Sequence, residues 1–90
     1  MTSLWSVVWN DEALNDLKKL DRQAQKEILR YLKERVETTE DPRRFGKPLV
    51  VDKKGLWRYR VRDYRIICKI KDEMITILVL AVGHRKDVYD

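Results

Sequence analysis

The fifteen residues 56–70, LWRYRVRDYRIICKI, decide the fold and hold much of the positive charge. Arginines alternate with aromatic and aliphatic residues as far as Asp63, and a second run rich in isoleucine follows. Alternation of this kind is typical of β-strands, in which successive side chains point to opposite faces of a sheet. The stretch therefore predicts two strands, 56–62 and 64–71, which reverse direction at Asp63.

The same alternation divides the side chains of these strands into an apolar set and a basic set. Trp57, Tyr59 and Val61 belong to the first set, together with the even-numbered residues 64 to 70 of the second strand. We expect this set to pack against the rest of the protein. We expect the opposite face to be an open platform of cations, made up of Arg58, Arg60, Arg62, Arg65, Lys69 and Lys71.

The remainder of the chain supplies one more strand on each side and two helices between them. Residues 4–9 (LWSVVW) and 74–82 are rich in β-branched and aliphatic residues and predict strands, and the chain is expected to leave the sheet at Gly83. Asn10 and Asp21 are candidate N-caps, each followed by apolar residues at helical spacing. The two stripes are Ala13, Leu14, Leu17 and Leu20, then Ala24, Ile28, Leu29, Leu32 and Val36.

These elements predict an α+β fold with the order β-α-α-β-β-β. Residues 20–22 leave only a tight connection between the helices, which indicates a helical hairpin. The segment 38–54 contains Pro42, Gly46 and Pro48 and is predicted to be mostly loop. We expect a single domain, residues 1–90, with the hairpin packed on one face of a small, mostly antiparallel sheet.

The net charge of +5 is unevenly distributed along the chain. Residues 43–71 contain eleven Lys and Arg, against only Asp52 and Asp63. A face that only keeps a protein in solution usually mixes both signs of charge. Guanidinium groups also match the geometry of phosphate. The distribution therefore favours a polyanionic partner over a merely solvated surface.

Several classes of site find no support in the composition. One Cys and one His cannot form a disulfide framework or a usual zinc site, and we expect neither a metal nor a cofactor. The sequence has no glycine-rich phosphate loop and no paired carboxylates of the glycosidase type. Its N-terminal residues lack the pattern of a signal peptide, and its apolar runs are too short to cross a membrane. We expect a cytoplasmic protein.

The tail VGHRKDVYD, residues 82–90, places His84, Arg85 and Tyr89 directly after a predicted strand. A phosphate held beside the basic face would meet these groups together, so they are candidates for acid–base chemistry.

Two other sets of residues are interpreted as structural. Alternation makes core packing the better interpretation of Trp57, Tyr59 and Tyr64, with base stacking as the alternative. Cys68 is interpreted as a small buried apolar residue.

LWRYRVRDYRIICKI, followed by ITILVLAVGHRKDVY, resembles the RelE branch of the RelE/ParE superfamily of toxin–antitoxin toxins. The resemblance covers nearly the whole chain. It implies a metal-independent endoribonuclease that cuts messenger RNA on the ribosome. It also implies a cognate antitoxin that holds the toxin inactive, and contact with operator DNA only indirectly, through that antitoxin. No membrane partner is implied.

The resemblance also assigns roles to individual residues. It implies that Arg65, with Arg60, stabilises charge in the transition state and that Arg85 serves the leaving oxygen. Tyr89 would orient the nucleotide or share the proton transfer. The base would be Tyr89 or His84, unless the ribosome supplies part of the proton transfer. The residues expected to bind RNA phosphates are Arg58, Arg62, Lys47, Lys53, Lys54 and Lys69.

Two other functions remain open for a chain of this type. The ParE branch shares the fold but poisons DNA gyrase, although such a poison would not need Arg65, Arg85 and Tyr89 together. A non-catalytic member would act only as a binding partner or co-repressor.

Overall fold

The computed structural model describes residues 3–49 and 55–84. A first strand leads into two helices, and the remaining strands follow in the second half of the chain. The elements are β1 (Ser6–Trp9), α1 (Asp11–Lys18), α2 (Arg22–Tyr31), β2 (Lys47–Pro48), β3 (Leu56–Val61), β4 (Tyr64–Lys71) and β5 (Thr76–His84). A turn of π-helix (Leu32–Val36) extends α2, and 3-10 turns occupy Pro42–Arg44 and Asp72–Met74.

The five strands form one sheet in the order β1-β5-β4-β3-β2. β1 runs parallel to β5, and the other neighbouring pairs are antiparallel. The predicted α+β class and the mostly antiparallel sheet are therefore confirmed. The structure adds β2, which pairs Lys47 with Arg58 and Pro48 with Trp57. Two residues are too short a run to produce an alternating pattern, so the sequence predicted this segment as loop.

The two helices begin at the predicted caps. The side-chain Oδ1 of Asn10 accepts a hydrogen bond from the amide of Ala13 at 2.7 Å, and Asp21 Oδ1 accepts from Ala24 at 2.7 Å. Each bond satisfies an amide that the first helical turn leaves without a backbone partner. Among the helices of the described part of the chain, none is long and apolar enough to cross a membrane.

The hydrophobic core lies between the helical hairpin and one face of the sheet. The helices contribute Ala13, Leu17, Ala24 and Ile28, and the π-helical turn contributes Leu32 and Val36. Tyr59 on β3 is fully buried, and its hydroxyl donates a hydrogen bond to the carbonyl of Pro42 at 2.7 Å. Two leucines of the predicted stripes are instead on the surface, since Leu14 is 37% and Leu29 46% exposed. Each lies one position away from the buried line of its helix.

β5 continues through Gly83 to His84, so the prediction that the chain leaves the sheet at Gly83 is wrong. The last residues of β5 point to the opposite faces from those that simple alternation predicts, because the pairing of β5 with β4 is irregular. Ile67 pairs with Ala81 and Cys68 with Val79, which leaves Leu80 as an extra residue in β5. A β-bulge of this kind reverses the alternation beyond it. Val82 consequently faces the helices and is buried.

The other strand limits differ slightly from the prediction. β1 starts at Ser6 instead of residue 4, and β3 ends at Val61 instead of residue 62. β5 starts at Thr76 instead of residue 74 because residues 72–74 form a 3-10 turn. Ile75 leaves that turn in a left-handed conformation, with φ of 48°.

Candidate nucleic-acid interface

Arginines from two strands meet on the face of the sheet that points away from the helices. Arg60 pairs with Arg65 across β3 and β4, and Arg58 lies one row further along β3. The short β2 brings Lys47 opposite Arg58. The predicted clustering of Arg58, Arg60 and Arg65 is therefore confirmed, and the structure adds Lys47 to the same surface. We call these four residues the basic cluster.

Arg65 differs from the rest of the cluster in its burial. Only 8% of its surface is exposed, whereas Arg60 is exposed and Arg58 is intermediate. The expectation that Arg65 lies on an open surface is wrong, since its side chain is covered although Lys69, on the same inner strand, is exposed. Burial restricts the conformations of a long side chain. Arg65 is thus the fixed member of the cluster and Arg60 the accessible one.

The turn between β3 and β4 holds Arg60 in position. Its Nε donates a hydrogen bond to the carbonyl oxygen of Arg62 at 3.0 Å. Arg62 itself has a left-handed backbone with φ of 56°, which ends the alternation of β3. The bond uses Nε and leaves the terminal nitrogens of Arg60 to face a ligand.

Arg62 does not belong to the basic cluster. Its Nη1 contacts the Oε2 of Glu27 on α2 at 2.7 Å, so its side chain points to the helical side of the molecule. The hydrogen bond with Arg62 lowers the pKa of the Glu27 carboxyl and raises the pKa of Arg62. The expectation that Arg62 lies on the basic face is wrong because alternation does not extend into the turn.

A tight approach of the 45–47 segment to β3 positions Lys47. The indole Nε1 of Trp57 donates a hydrogen bond to the carbonyl of Phe45 at 2.8 Å. Gly46 has φ of +77°, and a Cβ at this position would lie 2.4 Å from the carbonyl oxygen of Arg58. Only glycine fits both the backbone angle and the close contact. The glycine therefore lets Lys47 pair with Arg58.

The basic face covers only part of the sheet. Lys69 is exposed on β4, where it pairs with Leu56, and Lys71 lies at the far end of the same strand. Towards the other edge the strand residues on this face are uncharged and, apart from Ser6 and Thr76, apolar. Val8 on β1 is 47% exposed and pairs with Leu78. The predicted platform is thus cationic over β2 to β4 and uncharged, mostly apolar, over β5 and β1.

His84 lies on the opposite side of the sheet from the basic cluster. It pairs with Tyr64, and the two ring centroids are 5.9 Å apart at an angle of 81°. Both line a cleft of about 440 Å³ with Asp16 and Lys19 at the end of α1. The bulge in β5 causes this placement because it shifts the even-numbered residues to the helical side. Gly83 is then the residue that pairs with Arg65.

Four of the predicted site residues lie outside the described part of the chain. They are Arg85, Tyr89, Lys53 and Lys54. Their assignments therefore stay predictions.

The sequence reasoning missed Tyr31, which stands beside the basic cluster at the edge of the sheet. Tyr31 lines a cleft of about 250 Å³ together with Gly46, Lys47, Arg58 and Arg60. A signal was present, because Tyr31 comes three residues after the buried Ile28 and so flanks the core stripe of α2. It was not recognised because nothing in the sequence shows that the end of α2 lies next to β3.

Comparison with known proteins identifies the family. The family model described as the ParE toxin of the type II toxin–antitoxin system, parDE, matches residues 7–89. The chain is a member of this toxin family. A match of this length covers both helices, β2 to β5 and all of β1 except Ser6.

This toxin is similar to other toxins both in sequence and in structure. Toxin RelG of Mycobacterium tuberculosis is 41% identical over 49 residues, which span 54% of this chain and 56% of RelG. In the RelBE2 toxin–antitoxin complex of the same organism, one chain superposes with a TM-score of 0.78 at 28% identity. That superposition covers 97% of this chain and 98% of the other.

A more distant relative shares the fold alone. The isolated RelE toxin of E. coli superposes with a TM-score of 0.70 at 20% identity, over 89% of this chain and 83% of that one. The resemblance to the RelE/ParE superfamily is confirmed by these matches.

Proposed function

We propose that this toxin is a metal-independent endoribonuclease that cuts messenger RNA on the ribosome, in the cytoplasm. One observation carries the proposal, namely the pairing of a buried Arg65 with an accessible Arg60 on a face where Arg58 and Lys47 add further charge. The paired positions that form the basic cluster are all Lys or Arg and include no acidic residue. A preorganised group of cations of this kind stabilises negative charge that develops on a phosphate.

The chemistry consistent with this cluster is an internal displacement at phosphorus. The 2′-hydroxyl of the RNA loses its proton, its oxygen bonds to the adjacent phosphorus, and the bond from phosphorus to the 5′-oxygen breaks. The 5′-oxygen takes up a proton, so the products are a 2′,3′-cyclic phosphate and a 5′-hydroxyl. Arg60 and Arg65 would bind the non-bridging oxygens, on which charge accumulates. DNA lacks the attacking 2′-hydroxyl and would not be cut.

Arginine is an unsuitable base for this reaction because its guanidinium stays protonated at neutral pH. The proton transfers must therefore come from elsewhere. We assign the proton transfers to Tyr89 of the tail, and we assign to Arg85 the neutralisation of charge on the leaving 5′-oxygen. His84 is the weaker candidate, since its ring lies against Tyr64 on the helical side of the sheet.

We further propose that a cognate antitoxin binds this toxin. The RelBE2 chain on which it superposes comes from a toxin–antitoxin complex. An antitoxin that covers the basic cluster needs acidic side chains to compensate the charge of Arg58 and Arg60. It also needs apolar side chains to cover the exposed part of β1 and β5.

A second candidate function is the inhibition of DNA gyrase. The observation that favours it is the description of the matching family model, which names ParE. In that case the basic cluster would bind an acidic surface or DNA instead of an RNA phosphate. The two functions differ in whether transcripts are cut.

The test is to express the toxin without its antitoxin in bacteria and to map RNA ends that carry a 5′-hydroxyl. We expect growth arrest with new cleavages aligned to codons. Arg65→Ala and Arg60→Ala are each expected to lower the cleavage rate by about 100-fold or more, as removal of a group that stabilises transition-state charge does.

Lys26→Ala is the matched control because it removes an exposed cation from α2, away from the basic cluster. It is expected to leave cleavage unchanged. Arrest with intact transcripts and with gyrase-dependent DNA breaks would contradict the RNase proposal and support gyrase inhibition. A folded toxin that neither arrests growth nor cuts RNA would contradict both.

A further inference from the structure

We propose that the cleft at the edge of β3 is a second nucleotide subsite, in which Lys47 binds a phosphate next to the scissile one and Tyr31 contacts the adjoining base. The inference rests on the proposed function, because it presupposes a single-stranded RNA on the basic cluster. It extends that function by one residue, Tyr31, by a defined phosphate for Lys47, and by a length of RNA beyond the phosphate that is cut.

The shape of the cleft supports this assignment. It has a volume of about 250 Å³ and is lined by Tyr31, Gly46, Lys47, Arg58 and Arg60. It therefore contains three cations and one aromatic ring, and the glycine lets the segment that holds Lys47 lie close to β3. Arg60 belongs both to this cleft and to the row of Arg65. A strand bound at Arg65 thus continues into the cleft without leaving charged surface.

Tyr31 is held in place by its neighbours. The guanidinium of Arg35 lies over its ring, 5.5 Å from the centroid, and also lies 5.2 Å from the ring centroid of Phe45. The ring of Tyr59 contacts Tyr31 at 6.0 Å with an interplanar angle of 60°. A fixed ring loses little conformational entropy when a base packs against it. Burial raises the pKa of Tyr31, so its hydroxyl stays protonated and can also donate a hydrogen bond.

Lys47 is held in position by backbone pairing and by a hydrogen bond of the segment before it. It pairs with Arg58 in the short ladder of β2 and β3. The hydrogen bond from Trp57 to the carbonyl of Phe45 fixes the residue before Gly46. Two cations in one row, followed by Arg60 in the next, form a track for consecutive phosphates.

An RNA strand fits this combination better than an acidic peptide. Single-stranded nucleic acids are bound by basic grooves in which aromatic side chains stack on bases. A carboxylate-rich segment would use the three cations but would gain nothing from the ring of Tyr31. The contribution of Tyr31 therefore separates the two kinds of ligand.

The experiment compares a short and a longer ligand, neither of which can be cleaved. The full chain is titrated with 2′-deoxyuridine 3′-monophosphate, which carries a single phosphate, and with a 2′-O-methyl trinucleotide at several salt concentrations. The variants are Tyr31→Leu, Tyr31→Phe and Lys47→Ala, with Lys26→Ala on the exposed side of α2 as the matched control. Thermal unfolding of each variant verifies that it is folded.

Each variant has its own expected signature. Tyr31→Leu should lower the trinucleotide affinity by about 5- to 20-fold without changing its salt dependence, and Tyr31→Phe should retain the affinity within about 2-fold. Lys47→Ala should lower the slope of log affinity against log salt by about 0.7, the value for one phosphate contact to a single strand. Affinity for the monophosphate should stay within about 2-fold in all three variants, since its single phosphate occupies only the row of Arg60 and Arg65.

Two results would overturn the subsite. In the first, Lys26→Ala weakens trinucleotide binding as much as Lys47→Ala, which would indicate unspecific attraction. In the second, a glutamate-rich peptide depends on Tyr31 more strongly than the trinucleotide does, which would make the cleft a protein-docking surface.

The subsite and the proposed function can fail separately. The subsite alone would be refuted if RNA is cleaved in cells but every variant binds both ligands with the affinity of the native protein. The expected affinity pattern without any RNA cleavage would refute the nuclease alone.

Discussion

Arg60 and Arg65 lie directly opposite each other across β3 and β4, one accessible and the other 8% exposed. Two like charges in this relationship oppose folding by about 0.2–1 kcal/mol. The basic cluster is therefore retained at some cost to stability. An anion placed between the two guanidinium groups removes this repulsion. Anion binding should therefore stabilise the folded protein.

The first prediction concerns Arg60→Gln. We expect its free energy of unfolding to rise or to stay within about 0.5 kcal/mol of the native value, because the repulsion with Arg65 disappears and only an exposed hydrogen bond is lost. The same change should lower RNA cleavage by about 100-fold. Urea unfolding and a cleavage assay on purified ribosomes measure the two effects.

The separation of stability from activity is the informative outcome. A variant that loses cleavage because it unfolds would instead show a lower urea midpoint. That result would contradict the repulsion between Arg60 and Arg65.

The second prediction concerns Arg62→Gln, in the turn that follows. Its charge contacts Glu27 at 2.7 Å on the helical side, so we expect cleavage to stay within about 2-fold of the native rate. The melting temperature should fall slightly, and Glu27→Gln should produce the same small fall. The double variant should lose no more than either single variant, because both changes break one contact. A loss of cleavage similar to that of Arg60→Gln would place Arg62 in the RNA site.

The sequence was sufficient for the features that depend on local chemistry. Asn10 and Asp21 cap the helices as predicted, and the alternation around Tyr59 correctly separated the core from the basic face. These features follow from side-chain type and spacing within a few residues. The parallel pairing of β1 with β5 joins residues far apart in sequence, and no local pattern specifies it.

The errors in the site arise where alternation is interrupted. The run of apolar residues 77–82 does not alternate, so it gives no sign of the bulge at Leu80. That one extra residue decides that His84 faces Tyr64 and that Gly83 lies beside Arg65. In the same way, the left-handed backbone of Arg62 directs its side chain to Glu27. Both depend on backbone geometry that side-chain periodicity does not encode.

The third prediction concerns Asp16, whose Oδ2 accepts a hydrogen bond from the amide of Val82 at 3.1 Å. This bond ties α1 to β5 just beyond the bulge. Asp16→Ala leaves the amide without its acceptor and should cost about 1–3 kcal/mol of unfolding free energy. Asp16→Asn retains an acceptor oxygen and should cost less. Hydrogen exchange at the Val82 amide should accelerate in the alanine variant only, and equal exchange in both variants would refute this role for the carboxylate.

The fourth prediction concerns the pH dependence that the Arg43–Asp72 pair introduces. The two side chains form a bidentate contact with distances of 3.0 and 2.8 Å, and the hydrogen bond from Arg43 lowers the pKa of Asp72 below its ordinary value of 3.8. A carboxyl whose pKa is lower in the folded state than in the unfolded state stabilises the folded protein at pH values above its ordinary pKa. This stabilisation is lost as the pH falls through the pKa of the folded state.

The comparison that reveals this effect is native protein against Asp72→Asn. The difference in melting temperature should be constant between about pH 5 and 7 and should disappear by about pH 2. It should also shrink at high salt because the pair is exposed. A difference that persists unchanged at pH 2 would contradict the ionic origin of the contact.

The fifth prediction uses two glycines that share a backbone conformation but differ in their surroundings. Gly46 has φ of +77° and Gly55 has φ of +75°. Within the described residues a Cβ at Gly55 would meet nothing within 4 Å, whereas at Gly46 it would lie 2.6 Å from the Trp57 indole nitrogen and 2.4 Å from the Arg58 carbonyl oxygen. Gly55→Ala should therefore cost only the strain of the left-handed backbone, about 1–2 kcal/mol. Gly46→Ala adds a clash with β3 and should cost more than about 3 kcal/mol.

The two substitutions should also differ in their effect on RNA. Displacement of the 45–47 segment moves Lys47 away from Arg58, so a Gly46→Ala protein that remains folded should bind the trinucleotide as weakly as Lys47→Ala does. Gly55→Ala should bind it normally. Equal losses of stability in the two alanine variants would indicate that the segment relaxes away from β3 without cost, and the close approach of Gly46 would then not be what positions Lys47.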